Sequence, residues 1–196
     1  MDGGGATRPL FMPTMPIETN WLSQFELEEK GIIFGKDVKI SRKASLYMNI
    51  LEVGSHVRID DFAILTGDIR IGSYVHIPPF ATLYGKYGIV MHDFSGVSPR
   101  CAVYTESDDY SGASLMGPTV PDWSKKTNKG PVVFEKYAVI ADSVIVLPGV
   151  TFHEGSVVGA HSLVKKDCDA WTIYAGVPAK PIKPRQKSMI ELERKL

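Results

Sequence analysis

The chain holds 196 residues at 21.6 kDa, enough for one sizeable core. Its 44% hydrophobic and 22% charged content excludes a disordered chain, and 22 basic against 22 acidic residues remove a global electrostatic case for nucleic acid or an acidic membrane. No apolar run is long enough for a membrane span, and the opening MDGGGATRPLFMPTMP lacks the apolar core of a signal peptide. Cys101 and Cys168 make no CxxC, which excludes a disulfide scaffold and a cysteine zinc cage. A cytoplasmic location is the expectation.

Residues 1–16, rich in proline, glycine and methionine, read as a loosely held arm. The segment TNWLSQFELEEKG predicts a short helix with Thr19 or Asn20 as N-cap and Gly31 as its stop. Trp21, Leu22 and Phe25 are expected to dock on the open end of the structure that follows and to cover its strand edges. From Phe34 the sequence repeats. FGKDVK-ISRKAS-L, VGSHVR-IDDFAI-L and IGSYVH-IPPFAT-L carry Phe34, Ile40 and Leu46, then Val53, Ile59 and Leu65, then Ile71, Ile77 and Leu83, six positions apart within each set. The series resumes at Met91, Val97 and Val103, and after a gap at Phe134, Ile140, Val146, Phe152, Val158 and Val164. A second column, four places later, is nearly all small or β-branched, from Val38 and Ile50 to Ser162 and Cys168; Tyr87, just before a shift in phase, is the exception.

A period of six fits neither a helix nor an alternating half-buried strand. It predicts an all-β solenoid whose coil is three short strands and three tight turns, with large residues filling a prism and small ones at its corners. Such coils stack by parallel backbone pairing about 4.8 Å apart and bury their inward face only against neighbours. About six coils fit, over residues 34–170, between an arm and capping helix at 1–33 and a tail and helix at 171–196. Residues 104–133 are too polar and too rich in Gly and Pro to continue the coil. They are expected to leave it as a structureless insertion, and such excursions from a rigid scaffold are usually functional. Near the end, Ser188-Met-Ile-Glu191 predicts a capping box that opens a helix to Leu196.

The stretch VLPGVTFHEGSVVGAHSLVKKDCDAWTIYAGVPAKPIK, with its LPGV-T coil, GA-S coil, KD turn and G-PAK tail, resembles the C-terminal signature of the hexapeptide-repeat acyltransferases. The resemblance covers residues 34–183. It implies a left-handed parallel β-helix, a homotrimer, and transfer of acetyl from acetyl-CoA; no His/Asp/Glu spacing matches an established ligand motif, so no metal is expected. The implied acceptor is a sugar or nucleotide-linked amino sugar of surface polysaccharide synthesis, with the loop helping to wall its site between subunits. It also places pantetheine contacts at the backbone of Ala141 and Ala160, phosphate contacts at Lys165 and Lys166, and a basic tail at Lys183; the residues themselves show Lys165, Lys166, Lys180, Lys183 and Arg185 clustered in and after the last coil, so Arg185 joins the expected cofactor contacts. Cationic side chains and backbone N–H groups suit the phosphates of coenzyme A.

The acceptor side departs from the resemblance. Sugar O-acetyltransferases of this kind commonly carry a histidine just past a Tyr-Thr pair; here Tyr104-Thr105-Glu106-Ser107-Asp108-Asp109 puts Asp108 in its place. An unperturbed carboxylate, with a pKa of about 4, is a weaker base than imidazole at about 6.5. Three explanations stand open. A histidine elsewhere converges on the site, with His76 preferred, since it projects outward from a coil before the loop, and His92 next, followed by Asp93. Or burial beside Asp109 raises one carboxylate. Or the acceptor is an amine, which attacks a thioester in its neutral form. Asp109, Tyr84, Tyr104 and Tyr110 are the candidate acceptor contacts. A non-sugar acceptor and a noncatalytic β-helix serving assembly remain the alternatives.

Overall fold

A computed structural model describes residues 20–196 of the chain. They wind into a left-handed parallel β-helix of triangular section. The first face carries seven rungs: Lys39–Ile40, Arg58–Ile59, His76–Ile77, Gly96–Val97, Val139–Ile140, Val157–Val158 and Thr172–Ala175. The expected count was about six. On the second and third faces, Ser45–Val53, Ile64–Ile71 and Thr82–Met91 bend through the edge and serve both. Later coils split them, with Ala102–Tyr104, Ile145–Val146 and Leu163–Val164 on the second face and Val132–Phe134 and Thr151–Phe152 on the third.

The repeat column is the core. All its positions are buried except Phe34 and Leu46, which are half-buried near the N-terminal end. Phe134 stacks on Phe152 inside the prism with ring centroids 4.5 Å apart. In the small column, Val57, Ala63, Val75, Ala81, Cys101, Ala138, Val144 and Val150 are buried, but Ile50 is exposed because the strand bulges between Met48 and Ile50. The period is therefore not uniform. Ile40 sits opposite Ile59, 19 residues on, and Ile71 opposite Met91, 20 residues on. The surplus before Met91 is taken up at a second bulge, where Gly67 at φ +79° would place a Cβ 2.5 Å from the Gly85 backbone.

Turns at the first edge (between the first and second faces) and the third edge (between the third and first) use left-handed residues. His56, Tyr74, Phe94, Tyr137 and Trp171 all take φ between +51° and +63° on the third edge. Left-handed backbone costs an L-residue roughly 1–2 kcal/mol. Stacking offsets it: His56 lies on Tyr74 at 4.7 Å, Tyr74 on Phe94 at 4.6 Å and Phe94 on Tyr137 at 5.6 Å.

The ends differ from expectation in detail. The first helix is Gln24–Glu29, capped by Ser23 and closed by a capping box with Glu26, whereas Thr19 lies outside the described residues. Ser23 wins over Asn20 because only it stands three residues before a glutamate. Leu27 and Ile32, with Leu22, cover the open coil, while Phe25 points outward. The last helix is Met189–Glu193; Ser188 makes no capping bond, and Glu193 instead pairs with Lys136 at 2.7 Å. At that end Lys180–Pro184 folds back antiparallel on Thr172–Ala175. The arm at 1–16 lies outside the described residues. Among the described residues no helix is long and apolar enough to cross a membrane.

The insertion is ordered rather than structureless. Glu106–Asp108 pairs antiparallel with Thr127–Lys129, and a single helical turn at Asp122–Ser124 lies between them. It springs from the second edge, between the second and third faces.

Candidate active site

The first edge carries a charged cluster. The parallel ladder sets Arg58 beside His76, and both reach Asp60 at the following turn. Asp60 is buried; its Oδ2 lies 2.6 Å from His76 Nε2 and its Oδ1 accepts from Arg58 Nε at 2.6 Å. The Arg58 guanidinium lies over the Trp21 ring at 5.3 Å. The carboxylate meets the half-exposed imidazole at Nε2, so with the Nε2 proton held by Asp60 the basic nitrogen is Nδ1, an arrangement suited to taking a proton. Asp60 is a residue the sequence reading missed. Its signal was present: it stands one coil before His76 on a face where coils run in register. Ala141 and Ala160 lie on this same edge, where the Ala141 N–H donates to the Val158 carbonyl at 2.8 Å.

The second edge carries the loop and the lysine turn. Tyr84 and Tyr104 stack on adjacent coils at 5.2 Å, and burial pushes the Tyr104 phenol up. Thr105 is buried at the loop root, where its hydroxyl donates to the Tyr84 carbonyl at 2.7 Å and accepts from the Tyr87 N–H at 3.0 Å. Glu106 ties the ribbon to the coil through Lys86 at 2.6 Å and Thr127 at 2.9 Å. Burial works to raise the Glu106 carboxyl, but those two bonds and the lysine charges hold it below the usual range. Asp108 Oδ2 accepts from the Gly117 N–H at 3.2 Å. Asp109 accepts from the Ser111 N–H at 3.0 Å, and this bond lowers its carboxyl. The elevated acid imagined for the Asp108–Asp109 pair thus finds no support at Asp109, which is held as a carboxylate by a local turn. Tyr110 points into solvent.

At the end of the same edge Lys165 and Lys166 rim a cavity of about 370 Å³, shared with Lys180, Tyr174 and Pro178. The Cys168 thiol also lines it, but burial pushes that thiol up to about 12, and burial likewise raises Cys101. Neither is a thiolate nucleophile at neutral pH.

Other candidates lie elsewhere. His92 sits at the third edge in a hollow of about 350 Å³ with Arg70 and Glu52, and Asp93 accepts from the Ser73 N–H at 2.7 Å. Arg185 is turned inward on the third edge, donating to the carbonyls of Tyr137 at 2.8 Å and Gly155 at 3.0 Å; burial lowers its guanidinium. Lys183 pairs with Ile173 on the first face. The chain therefore gathers His76, Ala141 and Ala160 on one edge and Asp108, Tyr104, Lys165 and Lys166 on another. The second face separates the two groups.

Comparison with known proteins supplies the chemistry. The chain is 39% identical over 178 residues to a dTDP-4-amino-4,6-dideoxy-D-glucose acyltransferase of Escherichia coli, covering 88% of this chain and 93% of the relative. The solved structure of AntD, an N-acyltransferase from Bacillus cereus in complex with dTDP and 3-hydroxybutyryl-CoA, superposes with a TM-score of 0.86 at 44% identity, covering 90% of this chain and 95% of that one. A chloramphenicol acetyltransferase of Agrobacterium fabrum shares 35% identity over 72 residues, covering 35% of this chain and 34% of the relative. No family model matches the chain.

Proposed function

The chain belongs to the hexapeptide-repeat, left-handed β-helix acyltransferases, in their sugar branch, and from that premise we propose that it moves acetyl from acetyl-CoA to the amino group of a nucleotide-linked amino sugar. The observation that carries the reading is likeness over nearly the whole chain to acyltransferases of such sugars, combined with a loop that offers Asp108 where the resemblance to sugar O-acetyltransferases puts a histidine. An amine needs no base to become nucleophilic once it is neutral. Asp108 receives the incoming ammonium, and Tyr84, Tyr104, Tyr110 and Asp109 border it. After the ammonium gives up one proton, the amine nitrogen attacks the thioester carbonyl carbon. The C–N bond forms, the C–S bond breaks, and His76 takes the second proton from nitrogen through Nδ1 and passes it to the departing thiolate, which leaves as free coenzyme A, while the first proton has gone to solvent. Direct transfer fits the two buried, protonated cysteines. Coenzyme A lies along the second face, its pantetheine at Ala141 and Ala160 and its phosphates toward Lys165 and Lys166.

The two edges are joined by a second copy of the chain. In a closed homotrimer the first edge of one protomer meets the second edge of the next, and each site is completed in trans. The reaction belongs in the cytoplasm, where its two substrates are made, and in surface polysaccharide assembly.

Two assays test this. Acetyl-CoA turnover against nucleotide-linked amino sugars, free amino sugars and neutral glycosides should select the first class; turnover confined to hydroxyl or non-sugar acceptors overturns it. Mixing inactive His76→Ala and Asp108→Asn chains and reassembling them should restore activity. A mixture no more active than either parent refutes the shared site.

A further inference from the structure

Between the coil and the loop ribbon lies a cavity of about 470 Å³, bordered by Lys86, Tyr87, Ser107, Lys125, Thr127 and Lys129, with Glu106, Asp108 and Asp122. Formal charges cancel, yet the carboxylates are already engaged. Glu106 holds Lys86 and Thr127, Asp122 holds Lys125 at 2.8 Å, and Asp108 accepts from Gly117. Lys129 differs. Among the described residues it makes no ion pair; its ammonium rests over the Tyr87 ring at 5.2 Å. Lys86 lies over the same ring at 5.5 Å, so two cations flank one aromatic, one from the coil and one from the ribbon.

Here the register of the coil shifts: Lys86, Tyr87 and Gly88 stand where the preceding coil has Asp68 alone. Asp108 lies at another part of the same cavity wall.

We propose that this cavity seats the diphosphate of the acceptor, with Lys129 and Lys86 as its cations and the Ser107 hydroxyl as a further donor. The inference rests on the proposed function and deepens it. A cavity that takes a diphosphate at the lysines and an ammonium at Asp108 reads both ends of a hexose, and so selects a nucleotide-linked amino sugar over the free sugar. The anion replaces the ring as the partner of Lys129 and draws Lys86 from Glu106, a charge-assisted exchange.

The probes are thymidine diphosphate, inorganic pyrophosphate and thymidine, titrated calorimetrically against the full chain. The diphosphates should bind and thymidine should bind far more weakly. Lys129→Ala should weaken thymidine diphosphate about tenfold or more, as expected for loss of a charged hydrogen bond. Lys129→Arg should retain most of the affinity. Lys30→Ala, the same charge loss on the capping helix, should leave it unchanged. Acetyl-CoA affinity, measured alongside, should stay at the wild-type value in Lys129→Ala and so verify folding. Equal affinity for thymidine diphosphate in wild type and Lys129→Ala, or no diphosphate binding at all, overturns the seat. Acetyl transfer to an amino-sugar nucleotide with an unchanged KM in Lys129→Ala sinks the seat and leaves the function standing. Diphosphate binding that depends on Lys129 in a protein that acetylates no amino sugar supports the seat and sinks the function.

Discussion

Replacing Thr105 by Val removes two hydrogen bonds from the root of the loop while keeping the side chain's shape. Thr105 is fully buried, and both ends of the insertion meet at it: its carbonyl accepts from the Gly130 N–H at 3.1 Å, and its hydroxyl joins the Tyr84 carbonyl to the Tyr87 N–H. The Tyr84 carbonyl keeps a partner in valine's own N–H, the backbone bond now at 3.1 Å. The Tyr87 N–H does not. One half-buried donor is left unpaired, at a cost of about 1–3 kcal/mol. For a chain of this length that lowers the unfolding midpoint by about 2–4 °C per kcal/mol. Thr105→Ser keeps both bonds and loses one methyl, at about 1 kcal/mol. The assay is thermal unfolding of the three proteins, with amide exchange followed at Tyr87 and Gly130. Exchange at both amides should accelerate in the valine variant alone, and the acceptor KM should rise while that of acetyl-CoA stays constant. A valine variant as stable as wild type, or exchange at Tyr87 and Gly130 as fast in the serine variant as in the valine variant, would show that the hydroxyl does not tie the loop down.

Three further outcomes are expected. Because the Glu106 carboxyl is depressed on folding, its contribution is complete above the ordinary carboxylate pKa of about 4.3 and is lost as pH falls through the folded value; proteolysis within 104–133 should accelerate in acid, and Glu106→Gln should weaken that pH dependence, the remainder resting on Asp109 and Asp122. Cys101 and Cys168 should resist a disulfide reagent at pH 8 in the folded protein, and Cys168→Ala should keep its activity; rapid labelling, or loss of turnover in a folded variant, contradicts direct transfer. Arg185→Ala should destabilise the chain by about 1.5–3 kcal/mol through its two carbonyl bonds, without altering acetyl-CoA affinity. A raised KM for acetyl-CoA with unchanged stability would return Arg185 to the cofactor site.

The solenoid was legible because its cause is local: a residue that must point inward recurs at a short, countable spacing, and Val53, Ile59 and Leu65 announce a prism before any contact is known. The C-terminal motif was legible for the same reason, being contiguous. Slippage was not. Whether the next coil comes after 18, 19 or 20 residues depends on bulges such as the one at Gly67, where backbone meets backbone. Nor could spacing along the chain show that Asp60 holds His76, that Arg185 faces carbonyls rather than solvent, or that the loop pairs with itself, since each depends on which side chains meet across coils or within a fold-back.

By itself, then, the sequence determined the repeat, the buried column and the kinship, all properties of neighbours in the chain. Tertiary structure alone decided that His76 and Asp108 stand on different edges of the prism. The physical reason is that a triangular coil turns successive strands away from one another, so residues close in sequence face outward in different directions, while residues a coil apart lie side by side.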